Sequence, residues 1–306
     1  MSLYLNQNQS ECPFTTKDSW VILSKIEQSI KRKIESVGTP LKYWKDIKIY
    51  RGVLTGCNEA FIISTEKRNE ILNNCSSEEE RTRTDEIIRP ILRGRDIKRY
   101  GYCWDDKWLI ATFPSRHYDI DLYPSLKSYL LKFGKEKLEQ SGKQHLINGD
   151  LIKSRKKTNN QWFETQDSIA YWEDFYKPKI IYPNMTKFLP FLFDNNKFVT
   201  NQKCFIMVGK HIEYLCAFLN SSLFKFCYRD SFPELQGGTR ELSKIFFEKI
   251  VIKKISDEQN DEFKKVTADI QENFTEKKAK LIDKMIFDLY GLNKDEQDLV
   301  GYIEIK

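Results

Sequence analysis

No apolar run in these 306 residues approaches the roughly 18 that a membrane-spanning helix needs. The first ten residues are polar and lack the apolar stretch of a secretory signal, so the expected compartment is the cytoplasm. The seven cysteines are odd in number and no two stand at Cys-x-x-Cys spacing, which argues against a disulfide framework and a zinc site. His117, His145 and His211 are scattered, with neither metal nor triad spacing. No glycine loop ends in Gly-Lys-Ser/Thr, so a nucleotide-phosphate cradle is excluded. An Asn/Asp-Pro-Pro-Tyr/Phe loop, needed to hold a flipped base for amino-methylation, is also missing; the nearest string, Tyr182-Pro183-Asn184-Met185, has the wrong order. Acid-and-lysine triplets of the kind found in metal-dependent nucleases occur at Asp46-Ile47-Lys48, Asp96-Ile97-Lys98 and Glu276-Lys277-Lys278. With 31% charged residues such triplets arise by chance, so the chain alone reads as no enzyme, with no metal of its own.

What is present is a charge-rich globular chain with 40% hydrophobic residues, long enough for one large domain or two smaller ones. The net charge of +6 is unevenly placed. Residues 251–306 carry ten Lys against thirteen Asp and Glu, a net of −3, which leaves +9 on residues 1–250. A basic body with a mildly acidic tail suits a polyanion-binding body and a tail made for protein contacts.

Hydrophobic periodicity divides the chain. Val21, Ile22, Ile26, Ile30 and Ile34 predict a helix from Ser19 to Val37, stopped by Gly38-Thr39-Pro40. Short apolar or β-branched runs at 47–50, 60–64, 108–112, 179–182, 188–193 and 203–208 predict strands, and Pro190 marks its own as an edge or a bulge. A short helix is expected after Pro124, over 123–133, and a longer one over 211–228. Residues 246–252 are the last strand candidate. Ser256 with Gln259 forms a capping box, after which Phe263, Val266, Ile270, Phe274, Leu281, Met285 and Leu289 predict one helix of about 50 Å ending at Gly291. Asn293 with Glu296 offers a second box and a short final helix.

The run Arg89-Pro90-Ile91-Leu92-Arg93-Gly94-Arg95-Asp96-Ile97-Lys98-Arg99-Tyr100 concentrates guanidinium groups beside a glycine that allows a tight turn. The planar fork of arginine matches phosphate and guanine edges. A second patch, Lys153-Ser154-Arg155-Lys156-Lys157-Thr158-Asn159-Asn160-Gln161, joins phosphate-binding cations to amides that can pair with adenine. Upstream lies Arg51-Gly52-Val53-Leu54-Thr55-Gly56-Cys57-Asn58-Glu59-Ala60-Phe61, a glycine-bracketed turn. Downstream come Trp162-Phe163-Glu164, Lys177-Pro178-Lys179-Ile180, Leu219-Asn220-Ser221-Ser222 and Gln236-Gly237-Gly238-Thr239-Arg240. In this order the blocks resemble the TaqI-like C-terminal specificity domain of fused restriction–methyltransferase proteins.

The resemblance implies a mixed α/β target-recognition domain with small β-sheets at 36–250, a connector helix within 1–35 before it, and a helical spacer at 251–306. It implies sequence-specific recognition of double-stranded DNA in a type IIG restriction-modification protein, and reads the chain as a piece separated from its catalytic domains. S-adenosylmethionine and Mg belong to those domains, which are also the expected protein partners, in one polypeptide or as a separate subunit. The candidate DNA contacts are Arg93, Arg95, Lys98, Arg99, Lys153, Arg155, Lys156, Lys157, Lys179 and Arg240, with Asn159, Asn160 and Gln161 as base readers. The alternatives are a non-catalytic specificity subunit of a multi-subunit system and an interaction scaffold without DNA binding.

Overall fold

The computed structural model describes residues 23–147 and 149–304. The start of the expected first helix, Ser19 to Ile22, lies outside the described residues. Helix α1 (Lys25–Val37) begins at Ser24, whose hydroxyl and the Glu27 carboxylate form a reciprocal capping box, and it buries Ile30 and Ile34. Strand β1 (Gly38–Pro40) then pairs antiparallel with the late strand β16 (Val251–Lys253), tying the two ends of the domain together.

Two four-stranded sheets form the body. The first joins β2 (Lys48–Arg51), β10 (Lys179–Pro183), β12 (Leu192–Asp194) and β14 (Cys204–Val208) in the order β12-β10-β14-β2, all antiparallel. The expected 188–193 strand is extended only over Leu192–Asp194, so Pro190 lies outside it, and β12 stands at the sheet edge. The second joins β3 (Ile62–Ser64), β4 (Ile88–Leu92), β7 (Lys107–Ile110) and β13 (Val199–Thr200) in the order β13-β4-β7-β3, with β13 and β4 parallel. Every residue of β10 is buried. Side chains alternate across a strand, so Ile180 and Tyr182 enter one apolar core while Ile181 enters the other. A strand covered on both faces reads as a continuous apolar run, as Ile180-Ile181-Tyr182 does within β10.

The second core is closed by α2 (Asn58–Phe61), α3 (Thr65–Asn73), α4 (Glu78–Ile87), α5 (Pro124–Leu131) and α6 (Lys135–Leu138), through Phe61, Ile71, Ile87, Leu126 and Leu138. Three small two-stranded ribbons complete the body: β5 (Ile97–Lys98) with β6 (Gly101–Tyr102), β8 (Gln144–Ile147) with β9 (Asp150–Lys153), and β11 (Met185–Thr186) with β15 (Arg240–Glu241).

The first core is closed by α7 (Ile212–Leu219), α8 (Ser222–Tyr228), α9 (Lys244–Phe247) and three C-terminal helices, α10 (Asp257–Glu272), α11 (Glu276–Leu289) and α12 (Lys294–Val300). Two expected continuous helices are broken. The 211–228 segment is interrupted at Asn220, because the Ser221 hydroxyl accepts the Phe224 amide and starts a new helix. The 256–289 segment is interrupted at Asn273-Phe274-Thr275, where Thr275 caps α11 by accepting the Lys278 amide. The interruption resets the helical phase. Phe263 and Ile270 are buried as the periodicity predicts, but α11 turns Ala279, Ile282 and Ile286 inward and leaves Leu281 half-exposed. The expected 60–64 strand begins as a helical turn and becomes extended only at Ile62. The 246–252 segment likewise starts within α9 and is extended only from Val251.

Candidate nucleic-acid interface

The arginine-rich run leaves β4 and enters a tight turn built on Asp96. The Arg93 amide and its guanidinium both donate to the Asp96 carboxylate (2.8–3.0 Å), and Arg93 Nη2 also donates to Asp105 at 2.6 Å. The bond to Asp96 raises the Arg93 pKa, and the bond from Arg93 lowers that of Asp105. Arg93 is thus mostly spent inside its own turn. Arg95 is held only loosely, 3.6 Å from Asp105, and its side chain is 71% exposed. The ribbon that follows alternates sharply. Ile97, Arg99 and Tyr100 turn inward and Lys98 turns out. Tyr100 is fully buried at φ +56°, and Arg99 donates to the Asn220 carbonyl at 2.8 Å and to the Tyr302 hydroxyl at 3.2 Å. Arg99, a predicted DNA contact, is therefore a tie between the run and the helical core.

Gly94 leans on the ends of the first sheet. A Cβ there would lie 3.3 Å from the Lys203 carbonyl and 3.4 Å from Pro183. The Asn184 amide donates to the Lys203 carbonyl, and the Leu242 amide donates to Asn184. The close approach opens a groove of about 790 Å³ between the arginine turn and the segment after β10. Its rim carries Arg95, Lys98, Lys187 and Lys203, all exposed, beside the half-exposed Met185 and Phe188. Arg51, also exposed, donates to the Gln202 carbonyl at 3.0 Å. Arg51 and Lys156 both act on the Asp167 carboxyl, whose pKa burial nonetheless pushes up. A track of cations thus runs from the groove past Arg51 to Lys156. Sequence reasoning missed Arg51, Lys187 and Lys203, because each stands apart from the basic runs and only sheet pairing brings them together.

The second basic patch divides in the same way. Lys153, Lys156, Lys157, Asn159 and Gln161 are exposed. Arg155 is 5% exposed and its guanidinium donates to four carbonyls, those of Leu138, Thr55, Glu164 and Trp162, at 2.7–2.8 Å. Burial pulls its pKa down to about 10. Asn160 donates its amide to the Thr165 and Gln166 carbonyls (3.3 and 2.9 Å), so it shapes the loop. Asn159, Asn160 and Gln161 line a shallower hollow of about 500 Å³ with His117 and Ser168.

Two further expectations are corrected. Lys179 has no exposed surface; it donates to Asp194 at 2.5 Å and to the Phe175 carbonyl at 2.6 Å. Burial lowers its pKa, and Asp194 acts in the opposite direction. No phosphate can approach it. Arg240 is 7% exposed and is clamped by Asp230, Glu234 and the Phe232 carbonyl at 2.8–3.0 Å, holding the loop that carries Gly237 and Gly238. The glycine-bracketed turn is structural. Gly52 lies against the Asn201 backbone, where a Cβ would meet its carbonyl at 2.1 Å, and Gly56 takes φ +75° beside the Arg155 side chain. Among the described residues no group of three His, Cys, Asp or Glu comes together to hold a metal, and no helix is long and apolar enough to cross a membrane.

A family model for the TaqI-like C-terminal specificity domain matches residues 89–252, more than half of the chain. The chain belongs to that family. The matched span opens at the arginine run and closes at β16, so it contains the groove and both basic patches. Among solved structures, the specificity domain is similar in fold to the type IIL restriction-modification enzyme MmeI, solved in complex with DNA. The TM-score is 0.52 at 12% identity, covering 80% of this chain and 33% of that one. The type IIG restriction endonuclease BpuSI also matches, with TM-score 0.45 and 14% identity over 88% of this chain and 34% of that one. The specificity domain thus spans about a third of the length of each of these enzymes. No curated protein matches it in sequence.

Proposed function

We propose that this specificity domain binds double-stranded DNA and reads one short sequence, as the recognition part of a type IIG restriction-modification protein. The groove between the arginine turn and the segment after β10 carries the reading. Its rim gathers Arg95, Lys98, Lys187 and Lys203, exposed cations supplied by three separate stretches of chain, beside the apolar Met185 and Phe188. Phosphate contacts would set register and orientation, and side chains inside the groove would meet base edges. MmeI, of the same fold, was solved bound to DNA, which supports the choice of polyanion.

On this reading the revised contact set is Arg51, Arg95, Lys98, Lys156, Lys187 and Lys203, with Lys153 and Lys157 flanking and Asn159 and Gln161, in the second hollow, as further base readers. Residues 36–250 form the recognition unit, α1 connects into it, and α10–α12 brace it. An adenine-specific methyltransferase and a nuclease, outside this chain, would perform the chemistry with S-adenosylmethionine and Mg. The domain would hold the duplex while the target base is extruded there.

The test is binding to a fluorescent duplex pool across a salt series. Neutralising Z phosphates gives a log–log slope of about −0.9Z, so six contacts predict a slope of about −5. The double variant R95E/K203E should weaken binding at every salt and flatten the slope. Wild-type affinity in that variant would remove the groove from the interface.

A further inference from the structure

The β8–β9 ribbon has a face that the groove does not use. Its register pairs Gln144 with Lys153, His145 with Ile152, Leu146 with Leu151 and Ile147 with Asp150. Side chains alternate across the ribbon, so Gln144, Leu146, Leu151 and Lys153 share one face. All four are exposed, and the two leucines, directly opposite each other, are 75% and 67% exposed. They are the most exposed large apolar side chains among the described residues. On the other face His145, Ile147 and Ile152 are partly covered, and Asp150, beside the tip, is exposed.

The root of the ribbon is firm. Ser154 donates to the Lys143 carbonyl and Gly142 to that of Arg155, both at 2.9 Å. Arg155, enclosed by its four carbonyl acceptors, fixes the same point to the body through Leu138, Thr55, Glu164 and Trp162. Lys143, Lys153, Lys156 and Lys157 surround the root and are exposed. An outward apolar pair toward the far end of a ribbon anchored at its root, with four exposed lysines at its base against one carboxylate, Asp150, near its tip, has the charge of a surface made for a polyanion. A two-stranded ribbon fits the DNA major groove, where the apolar surface on offer is the thymine C5-methyl group.

We propose that the β8–β9 ribbon enters the major groove and that Leu146 and Leu151 contact thymine methyls, with Lys143 and Lys153 on the flanking phosphates. This rests on the DNA-binding reading and adds a second, separate point of sequence discrimination to it.

The test uses a duplex selected by the wild-type chain from a random library, compared with the same duplex carrying uracil for thymine, which removes only the methyl groups. Burial of one methyl group corresponds to about fourfold in affinity. Wild type should bind the thymine duplex at least about fourfold more tightly. The L146S/L151S variant should lose that preference while keeping the wild-type unfolding midpoint, because both side chains are solvent-exposed. A variant that keeps the preference, or a wild type that binds selectively but ignores the methyl groups, overturns the ribbon's role and leaves the DNA reading standing. A ribbon that serves a protein partner instead would give that second pattern. Failure of the wild type to select any duplex overturns both.

Discussion

Replacing Arg155 with alanine separates two readings of one basic residue. In sequence Arg155 stands in a lysine-rich loop and looks like a phosphate contact. In the structure it is 5% exposed and makes four hydrogen bonds to carbonyls from three separate stretches of chain. Hydrogen bonds to a charged group contribute about 1.5–3 kcal/mol each net of the water they replace, so four would sum to about 6–12 kcal/mol. Keeping the charge inside works against this. The pKa falls from 12.5 to about 10, which corresponds to a cost of about 3 kcal/mol. The net loss in R155A should therefore be about 3 kcal/mol or more, a large part of the roughly 5–15 kcal/mol by which a domain is stable. Urea unfolding followed by tryptophan fluorescence reads it directly as a fall in midpoint. R155K should not rescue, because a single ammonium cannot spread over four carbonyls as the planar fork does. If R155A unfolds at the wild-type midpoint and loses only DNA affinity, the structural account of Arg155 is wrong.

Other consequences follow from the same contacts. K179M should lose about 3–5 kcal/mol in the same unfolding assay, because it strands Asp194 without its cation in a fully enclosed site. K203E alone should weaken DNA binding about tenfold and reduce the salt slope by about one, with no change in unfolding midpoint. Glu296 ties α12 to α1 by accepting from Ser29 and Lys33 at 2.6–2.7 Å. Burial pushes its pKa up, but these partners and the Asn293 amide outweigh burial and hold it below the usual carboxyl range. Its contribution is therefore complete above the ordinary carboxyl pKa of about 4.3 and is lost as pH falls through the depressed value. E296Q should lower stability at neutral pH and flatten the acid limb of the stability curve measured by urea unfolding between pH 7 and 3.

The strands and the caps were legible because their causes are local. The runs at 47–50, 179–182 and 203–208 alternate or are continuously apolar, and they form β2, β10 and β14, three adjacent strands of the first sheet. The Ser256-Gln259 and Asn293-Glu296 boxes close as their spacing requires. The breaks at Ser221 and Thr275 were written in the chain too, as capping residues, but a continuous apolar period on either side concealed them. The role of each cation was not legible. Arg99, Arg155, Lys179 and Arg240 find their partners in backbone carbonyls or in acids that other elements bring beside them, and a backbone carbonyl leaves no mark in sequence. Arg51, Lys187 and Lys203 carried the opposite signal, isolated lysines and arginines at strand ends, and only the antiparallel order β10-β14-β2 and the Gly94 contact place them on one track. The family resemblance supplied the fold; it could not sort free cations from enclosed ones.

Selection from a random duplex library at low and then roughly physiological salt decides whether this domain reads a DNA sequence. A sequence-reading domain enriches one short motif that survives the higher salt, because base contacts persist where phosphate contacts are screened. Binding that disappears with salt and enriches no motif would contradict that reading.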